Sequence, residues 1–239
     1  MTAGADSLAC ELAGVSRRFG RRWALRGVTM RLRAGEVVGV TGPNGSGKST
    51  LLRVVSTSLR PTLGTGSVFG ADLVRAAPIV RSRVGFLGHV PGVYDDLTAS
   101  ENLRFAAAMT GADGSPVRAV LERVGLAAHA DERVRGFSAG MQRRLALGRM
   151  ILRRPSLLLL DEPYNNFDVQ GTALLNEIIE ETRDRGGSAL IVVHDRRQAE
   201  GLFDRVIDLA TGAIASVVST SRATDAAEWR GFADARTGV

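Results

Sequence analysis

The stretch Gly42-Pro43-Asn44-Gly45-Ser46-Gly47-Lys48-Ser49-Thr50 constrains this chain more than any other. It follows the pattern G-x-x-x-x-G-K-[ST], a loop whose backbone N–H groups cradle phosphates. The preceding segment, Glu36 to Thr41, reads as a short buried strand, and Leu51, Leu52 and Val55 recur at helical positions over Ser49 to Ser58. Strand, glycine loop and helix in that order form the setting such a loop needs. Gly42, Gly45 and Gly47 let the backbone curl so that its N–H groups point inward, and the helix adds the positive end of its dipole. Lys48 sharpens the reading, because it is the only lysine among 31 lysines and arginines. A compact ammonium on a flexible stem suits a point contact to the β- and γ-phosphates. Ser49 offers a hydroxyl to Mg²⁺. The expected ligand is a nucleoside triphosphate.

A second constellation completes the chemistry. Leu157-Leu158-Leu159-Leu160 reads as a buried strand ending in Asp161-Glu162-Pro163. Burial holds Asp161 rigidly at the edge of the sheet where open α/β sheets bind ligands, so Asp161 is expected to orient Mg²⁺. Glu162 projects differently and is placed to polarise an attacking water. His194 follows the next apolar strand, Ala189–Val193, and its imidazole is expected at the same sheet edge, within reach of the γ-phosphate or the water.

Composition narrows the class. At 239 residues the chain supports one sizeable α/β core. Its longest apolar runs are strand-length, far short of the roughly 20 residues of a membrane helix. No basic segment leads into an apolar run at the N-terminus, so no secretory signal is expected. The single cysteine, Cys10, excludes an internal disulfide, fits the cytosol and reads as a small buried strand residue. The net charge of +6 is carried by scattered arginine pairs, among them Arg17-Arg18, Arg143-Arg144 and Arg153-Arg154, without interleaved aromatics. They read as a solvated surface, and no nucleic-acid partner is expected. Attraction to an anionic membrane face is compatible with the same charge.

Along the chain, Ser7 to Gly35 alternates in the manner of antiparallel strands. Arg60 to Gly66 reads as turn chemistry, with a strand resuming at Ser67–Gly70. From Thr98 to Leu152 the pattern is helical, with starts expected at Ser100 with Asn102, at Ser115-Pro116 and at Ser138. After Pro155, strands and helices alternate: a helix through Leu174 to Ile179, a short helix near Gln198–Phe203, and a hairpin from Arg205 to Ile214. Such alternation predicts a parallel sheet wrapped by helices, interrupted by a helical insertion. Residues beyond about Val218 read as a loosely held tail, in which Trp229 and Phe232 could dock.

Phe137-Ser138-Ala139-Gly140-Met141-Gln142 precedes the Asp161 strand and resembles the L-S-G-G-Q signature of ATP-binding cassette (ABC) ATPases. Phe137, Ala139 and Met141 depart from it, while Ser138 and Gly140 keep the hydroxyl and backbone N–H groups of a helix-tip anion clamp. With this segment in place, the order of motifs from about Leu8 to Val218 is similar to that family. The resemblance implies an α/β fold, a P-loop NTPase (RecA-like) core with a parallel sheet, an N-terminal antiparallel β subdomain and an inserted helical subdomain at about 92–153. It implies an ATPase domain over 7–218 and a tail over 219–239. Phe19 becomes the aromatic that stacks on adenine, Asn165-Asn166-Phe167-Asp168 the D-loop with Asp168 its acidic residue, and His194 the switch histidine. ATP and Mg²⁺ are the implied ligands. The implied partners are a membrane-spanning permease and a second cassette, a homodimer mate or a paralogue, whose Ser138 equivalent closes on the ATP. The implied location is cytoplasmic, peripheral on the inner face of the cell membrane.

Two departures are specific. His89, in Gly88-His89-Val90-Pro91-Gly92, stands where most ABC ATPases carry the glutamine of the Q-loop. Imidazole offers at best one nitrogen, a softer ligand for a hard cation, which speaks against direct Mg²⁺ contact and leaves a water-mediated contact or a pure coupling role open. Asn165-Asn166 is the second. The Gly-His-x-Pro-Gly form, the following Leu97-Thr98 and Glu101-Asn102-Leu103, and Asp161-Glu162-Pro163-Tyr164 resemble the ATP-binding subunit of haem exporters of cytochrome c maturation. Another exporter of lipid or drug-like substrates is the alternative. So is a non-transport ABC protein acting on ribosomes or DNA, although such proteins usually carry tandem cassettes or coiled-coil insertions. A catalytically weak, regulatory cassette is a third reading, and the intact Glu162 and His194 speak against it.

Overall fold

The structure is a computed structural model that describes residues 7–111, 116–165, 167–194 and 201–220. Leu8–Phe19 (β1) and Arg22–Arg33 (β2) form a long antiparallel ribbon. Val37–Thr41 (β3) then leads through the glycine loop into Lys48–Val55 (α1). Leu63–Val68 (β4) pairs antiparallel with β1, and the short Ala71–Asp72 (β5) closes this four-stranded sheet in the order β2-β1-β4-β5. Ala77–Arg83 (α2) and Val84–Leu87 (β6) return the chain to the central sheet. The helices Ala99–Thr110 (α3), Val117–Arg123 (α4) and Ala139–Arg153 (α5) follow. Leu157–Asp161 (β7), Val169–Asp184 (α6), Ser188–Val192 (β8), Arg205–Ala210 (β9) and Ala213–Ser219 (β10) complete the described chain.

The central sheet runs β10-β9-β3-β8-β7-β6, parallel throughout except for the β9–β10 hairpin. Every residue of β3, β7 and β8 is buried, as parallel strands covered on both faces require. Because side chains alternate along a strand, neighbouring residues serve two different cores. Val38, Val40, Leu159, Leu190 and Val192 pack with α1 and the antiparallel sheet. Val37, Leu158, Leu160, Ala189 and Ile191 pack on the opposite face, in a core shared with α3 to α6. At roughly 1.5–3 kcal/mol for each large buried aliphatic, this double burial holds the sheet edge, and whatever it carries, in place.

Three local readings of the sequence are corrected. The strand expected from Ser67 begins at Leu63, inside what reads as a turn. Its glycines are there for close approach: a Cβ on Gly64 would lie 2.5 Å from the backbone of Gly14, and one on Gly66 would lie 2.6 Å from Leu12 Cδ2. Helix α3 starts at neither Ser100 nor Asn102. Its cap is Thr98, in a reciprocal box with Glu101: Glu101 N donates to Thr98 Oγ1 at 3.1 Å, and Thr98 N to Glu101 Oε2 at 2.8 Å. Asn102 is buried and braces the preceding loop, accepting from Tyr94 N at 2.8 Å and donating to Tyr94 O at 2.9 Å. Last, β10 runs to Ser219, and Thr220 Oγ1 donates to Asp204 O at 3.0 Å, so the expected tail begins as ordered chain. Ser115, Asn166, the first half of the Gln198–Phe203 segment, Trp229 and Phe232 lie outside the described residues. Among the described residues no helix is long and apolar enough to cross a membrane.

Candidate nucleotide site

Strand β3 delivers the chain to the carboxyl edge of the parallel sheet, where the loop 42–47 turns into α1. Gly42 and Gly47 hold φ of 136° and 107°, and a Cβ would sit 2.0 Å from Leu209 O at the first and 2.4 Å from Ala24 O at the second. Only glycine fits either place. Pro43, Asn44 and Gly45 form the exposed tip, Ser46 is buried, and Ser49 and Thr50 open the helix half-buried. Lys48 is buried, and its Nζ donates to Gly42 O at 2.7 Å and Pro43 O at 3.1 Å. The ammonium is thus held within the loop, tied to two of its own carbonyl oxygens.

The parallel register brings the acids alongside. Asp161 pairs with Val192 at the end of β7, which sets Glu162 and His194 at one edge. Ser49 Oγ donates to Asp161 Oδ1 at 3.1 Å. Asp161 Oδ2 is buried without a hydrogen-bond partner, with His89 Nε2 3.7 Å away. A buried carboxylate oxygen lacking a donor, beside a serine hydroxyl, is a costly arrangement that a hard divalent cation relieves, so these residues fit Mg²⁺. Glu162 adopts a left-handed backbone, φ 50°, a conformation worth roughly 1–3 kcal/mol of strain in a non-glycine residue. Its N–H donates to Val192 O at 3.1 Å, and its carboxylate meets His194 Nε2 at 2.6 Å and Asn165 Nδ2 at 3.0 Å. Glu162 is therefore oriented from both carboxylate oxygens. His194 reaches Glu162 directly, a partner the sequence reading did not give it.

Phe19 lies at the tip of the β1–β2 ribbon, half exposed, with the Arg17 guanidinium 4.7 Å above its ring. It pairs with Arg22, whose Nη2 comes within 3.4 Å of a Cβ built on Gly45, so the ribbon tip flanks the phosphate loop.

Ser138 and Gly140 stand elsewhere. Ser138 caps α5, accepting from Met141 N at 3.2 Å, and opens on a cleft of about 250 Å³ lined with Gly140, Arg144, Phe167 and Asp168 and with no residue of the phosphate loop. Asp168 caps α6, accepting from Gly171 N at 2.8 Å, and pairs with the Arg144 guanidinium. The Gly171 N–H above all, and then Arg144, hold its carboxyl below the usual range. One chain therefore carries two groups of candidate residues: Lys48, Ser49, Asp161, Glu162, His194 and His89 in one place, Ser138, Gly140 and Asp168 in another.

The sequence reading missed Arg143 and Arg144. The pair reads as solvated surface, but Arg143 is buried, its Nη1 donating to Pro163 O at 3.4 Å, and Arg144 ties the tip of α5 to α6. Their position in the second turn after Ser138 was the available signal: successive helical residues face different neighbours.

This geometry defines a phosphate-loop nucleotide-binding protein built on a parallel α/β sheet, and three comparisons refine the class. The ABC transporter family matches residues 25–165. The chain is 40% identical over 198 residues, 82% of its length and 92% of the relative's, to the cytochrome c biogenesis ATP-binding export protein CcmA 2 of Cupriavidus metallidurans. It is 37% identical, over 84% of its length and 65% of the relative's, to the daunorubicin resistance ATP-binding protein DrrA3 of Streptomyces coeruleorubidus. A solved ATP-binding subunit of an ABC transporter superposes with a TM-score of 0.83 at 26% identity, covering 88% of this chain and 90% of that one. The chain belongs to the ABC transporter family as an ATP-binding subunit, and it is an ATPase.

Proposed function

We propose that this subunit powers export of haem for cytochrome c assembly, working as one of two paired cassettes on the cytoplasmic face of a membrane permease. The observation that carries the pairing is the division of the site. The phosphate loop and its acids form one half on the central sheet, and the Ser138 helix tip forms the other half in a separate cleft. A second cassette, turned head to tail, brings its Ser138 and Gly140 to the triphosphate held by Lys48 of the first. Similarity to a cytochrome c biogenesis export protein over 92% of that relative supports the haem reading. Similarity to a daunorubicin resistance protein keeps a drug-type exporter as the second reading.

In this reading the loop N–H groups and Lys48 hold the β- and γ-phosphates, and Phe19 stacks on the base. Ser49 and Asp161 would hold Mg²⁺, which when bound neutralises charge on the transferring phosphoryl group. Glu162, fixed by Asn165 and His194, accepts a proton from the attacking water. Asp168 and Arg144 keep the D-loop and the signature helix in one orientation toward the partner.

Two variants test the roles. Lys48→Ala is expected to lose nucleotide binding in a calorimetric titration, whereas Glu162→Gln is expected to bind ATP while phosphate release falls at least about 100-fold. Full binding by the first, or full turnover by the second, removes the assignment. The cargo is tested by isolating the permease that co-purifies in mild detergent: a bound tetrapyrrole supports haem export, and a lipid or drug-like molecule replaces it.

A further inference from the structure

The register of two distant strands puts an imidazole where an oxygen-only magnesium site has no use for one. Leu87 of β6 pairs with Leu160 of β7, so His89 and Glu162 emerge two residues beyond, side by side at the sheet edge. His89, Asp161 and Glu162 each offer a ligand atom, and these atoms lie within 4.8 Å of one another. Asp161 supplies the independent observation: it is 1% exposed, and its Oδ2, aimed at this cluster, has no hydrogen-bond partner. Glu162 is oriented by His194 and Asn165, as the carboxylate ligands of metal sites characteristically are.

Ligand type separates the candidate ions. The His89 Nε2 to Asp161 Oδ2 separation is 3.7 Å, close enough for both atoms to reach one ion once the half-exposed imidazole rotates. Two donors on one tetrahedral zinc-class ion, each about 2.0–2.2 Å from it, stand about 3.4 Å apart. Imidazole suits zinc and its neighbours, while magnesium prefers oxygen alone.

We propose that His89, Asp161 and Glu162 form a binding site for a borderline divalent cation of the zinc class in the nucleotide-free cassette. The inference rests on the assignment of Asp161 and Glu162 to the ATP site, because its consequence is regulatory. An ion held there occupies Asp161 and ties down Glu162, so it excludes the magnesium–nucleotide complex and keeps the cassette at rest.

The test titrates Co²⁺, as a spectroscopic stand-in for zinc, into the tag-free full-length protein without nucleotide. One Co²⁺ per chain is expected, with tetrahedral visible absorption, displaced by Zn²⁺ but not by excess Mg²⁺. His89→Gln is expected to weaken Co²⁺ binding by at least about tenfold, the minimum for loss of even an outer-sphere partner. His129→Gln, which alters the His129–Glu132 pair, is expected to leave it unchanged. Because His89 is half exposed, melting curves of the His89→Gln protein should match wild type, and Asp161→Asn provides a second ligand deletion. Undiminished Co²⁺ binding by His89→Gln, loss of binding in His129→Gln instead, or displacement by magnesium as easily as by zinc overturns the proposal. Lys48→Ala separates the two claims: it abolishes nucleotide binding on the reading above yet keeps the Co²⁺ spectrum.

Discussion

Replacing Ser138 by alanine and by aspartate distinguishes what its hydroxyl does for its own helix from what it does for a partner's nucleotide. Within the chain, Ser138 is an N-cap: its backbone is extended (φ −64°, ψ 160°) and Oγ accepts from Met141 N at 3.2 Å. Loss of such a cap costs typically about 1 kcal/mol. For a chain of this size that is a fall of about 2–4 °C in Tm. Aspartate caps as well as serine and sits favourably at a positive helix end, so the Ser138→Asp protein is expected to melt with the wild type. Hydrolysis inverts the ranking. Removing one preorganised donor to developing charge costs about 10²–10³ in rate, or about 2.7–4 kcal/mol, well above the cap. Alanine is therefore expected to slow phosphate release by at least about 100-fold. Aspartate, which opposes a carboxylate to the γ-phosphate, is expected to be slower still. The assays are thermal melting by circular dichroism and phosphate release at several protein concentrations, so that pairing is not limiting. A Ser138→Asp protein that hydrolyses ATP like wild type would show that the cleft beside α5 faces no nucleotide, and the two-half account would fall with it.

Gly47→Ala combines a φ of 107° with a Cβ 2.4 Å from Ala24 O, so a loss of more than about 2 kcal/mol is expected, together with loss of ATP binding. Gly186→Ala, at φ 77° but in open space, should show only the backbone strain of roughly 1–2 kcal/mol, and equal melting temperatures for the two would refute the clash. Burial, and then the neighbouring Glu11 charge, push the Cys10 thiol from its ordinary 9.0 up to about 12. The folded chain thus keeps a proton that the unfolded chain releases, and the contribution to stability falls as pH rises from about 9 towards 12. At neutral pH a thiol reagent should modify Cys10 only at the rate of unfolding, and rapid labelling of the native protein would contradict its burial.

Much of this fold was legible because its signals are local. Four consecutive leucines before Asp161 announce a strand covered on both faces, and Gly42, Gly47 and Lys48 announce a loop whose backbone approaches Leu209 and Ala24 too closely for any side chain. What escaped is what the sheet register creates between distant segments. Nothing in Leu63-Gly64-Thr65-Gly66 shows that its glycines are there to lie against β1, so it reads as a turn. Arg143 and Arg144 look alike in sequence, yet helical rotation buries one against Pro163 and sends the other to Asp168. The same reasoning explains His89. As a departure from a glutamine it leaves two roles open, and only the pairing of Leu87 with Leu160 places its imidazole next to a buried, donor-less oxygen of Asp161. A residue's identity limits the chemistry it can perform, whereas strand register decides which other residues share that chemistry. The substitution at residue 89 therefore gains its meaning from β7, a strand far along the chain that the loop itself gives no sign of.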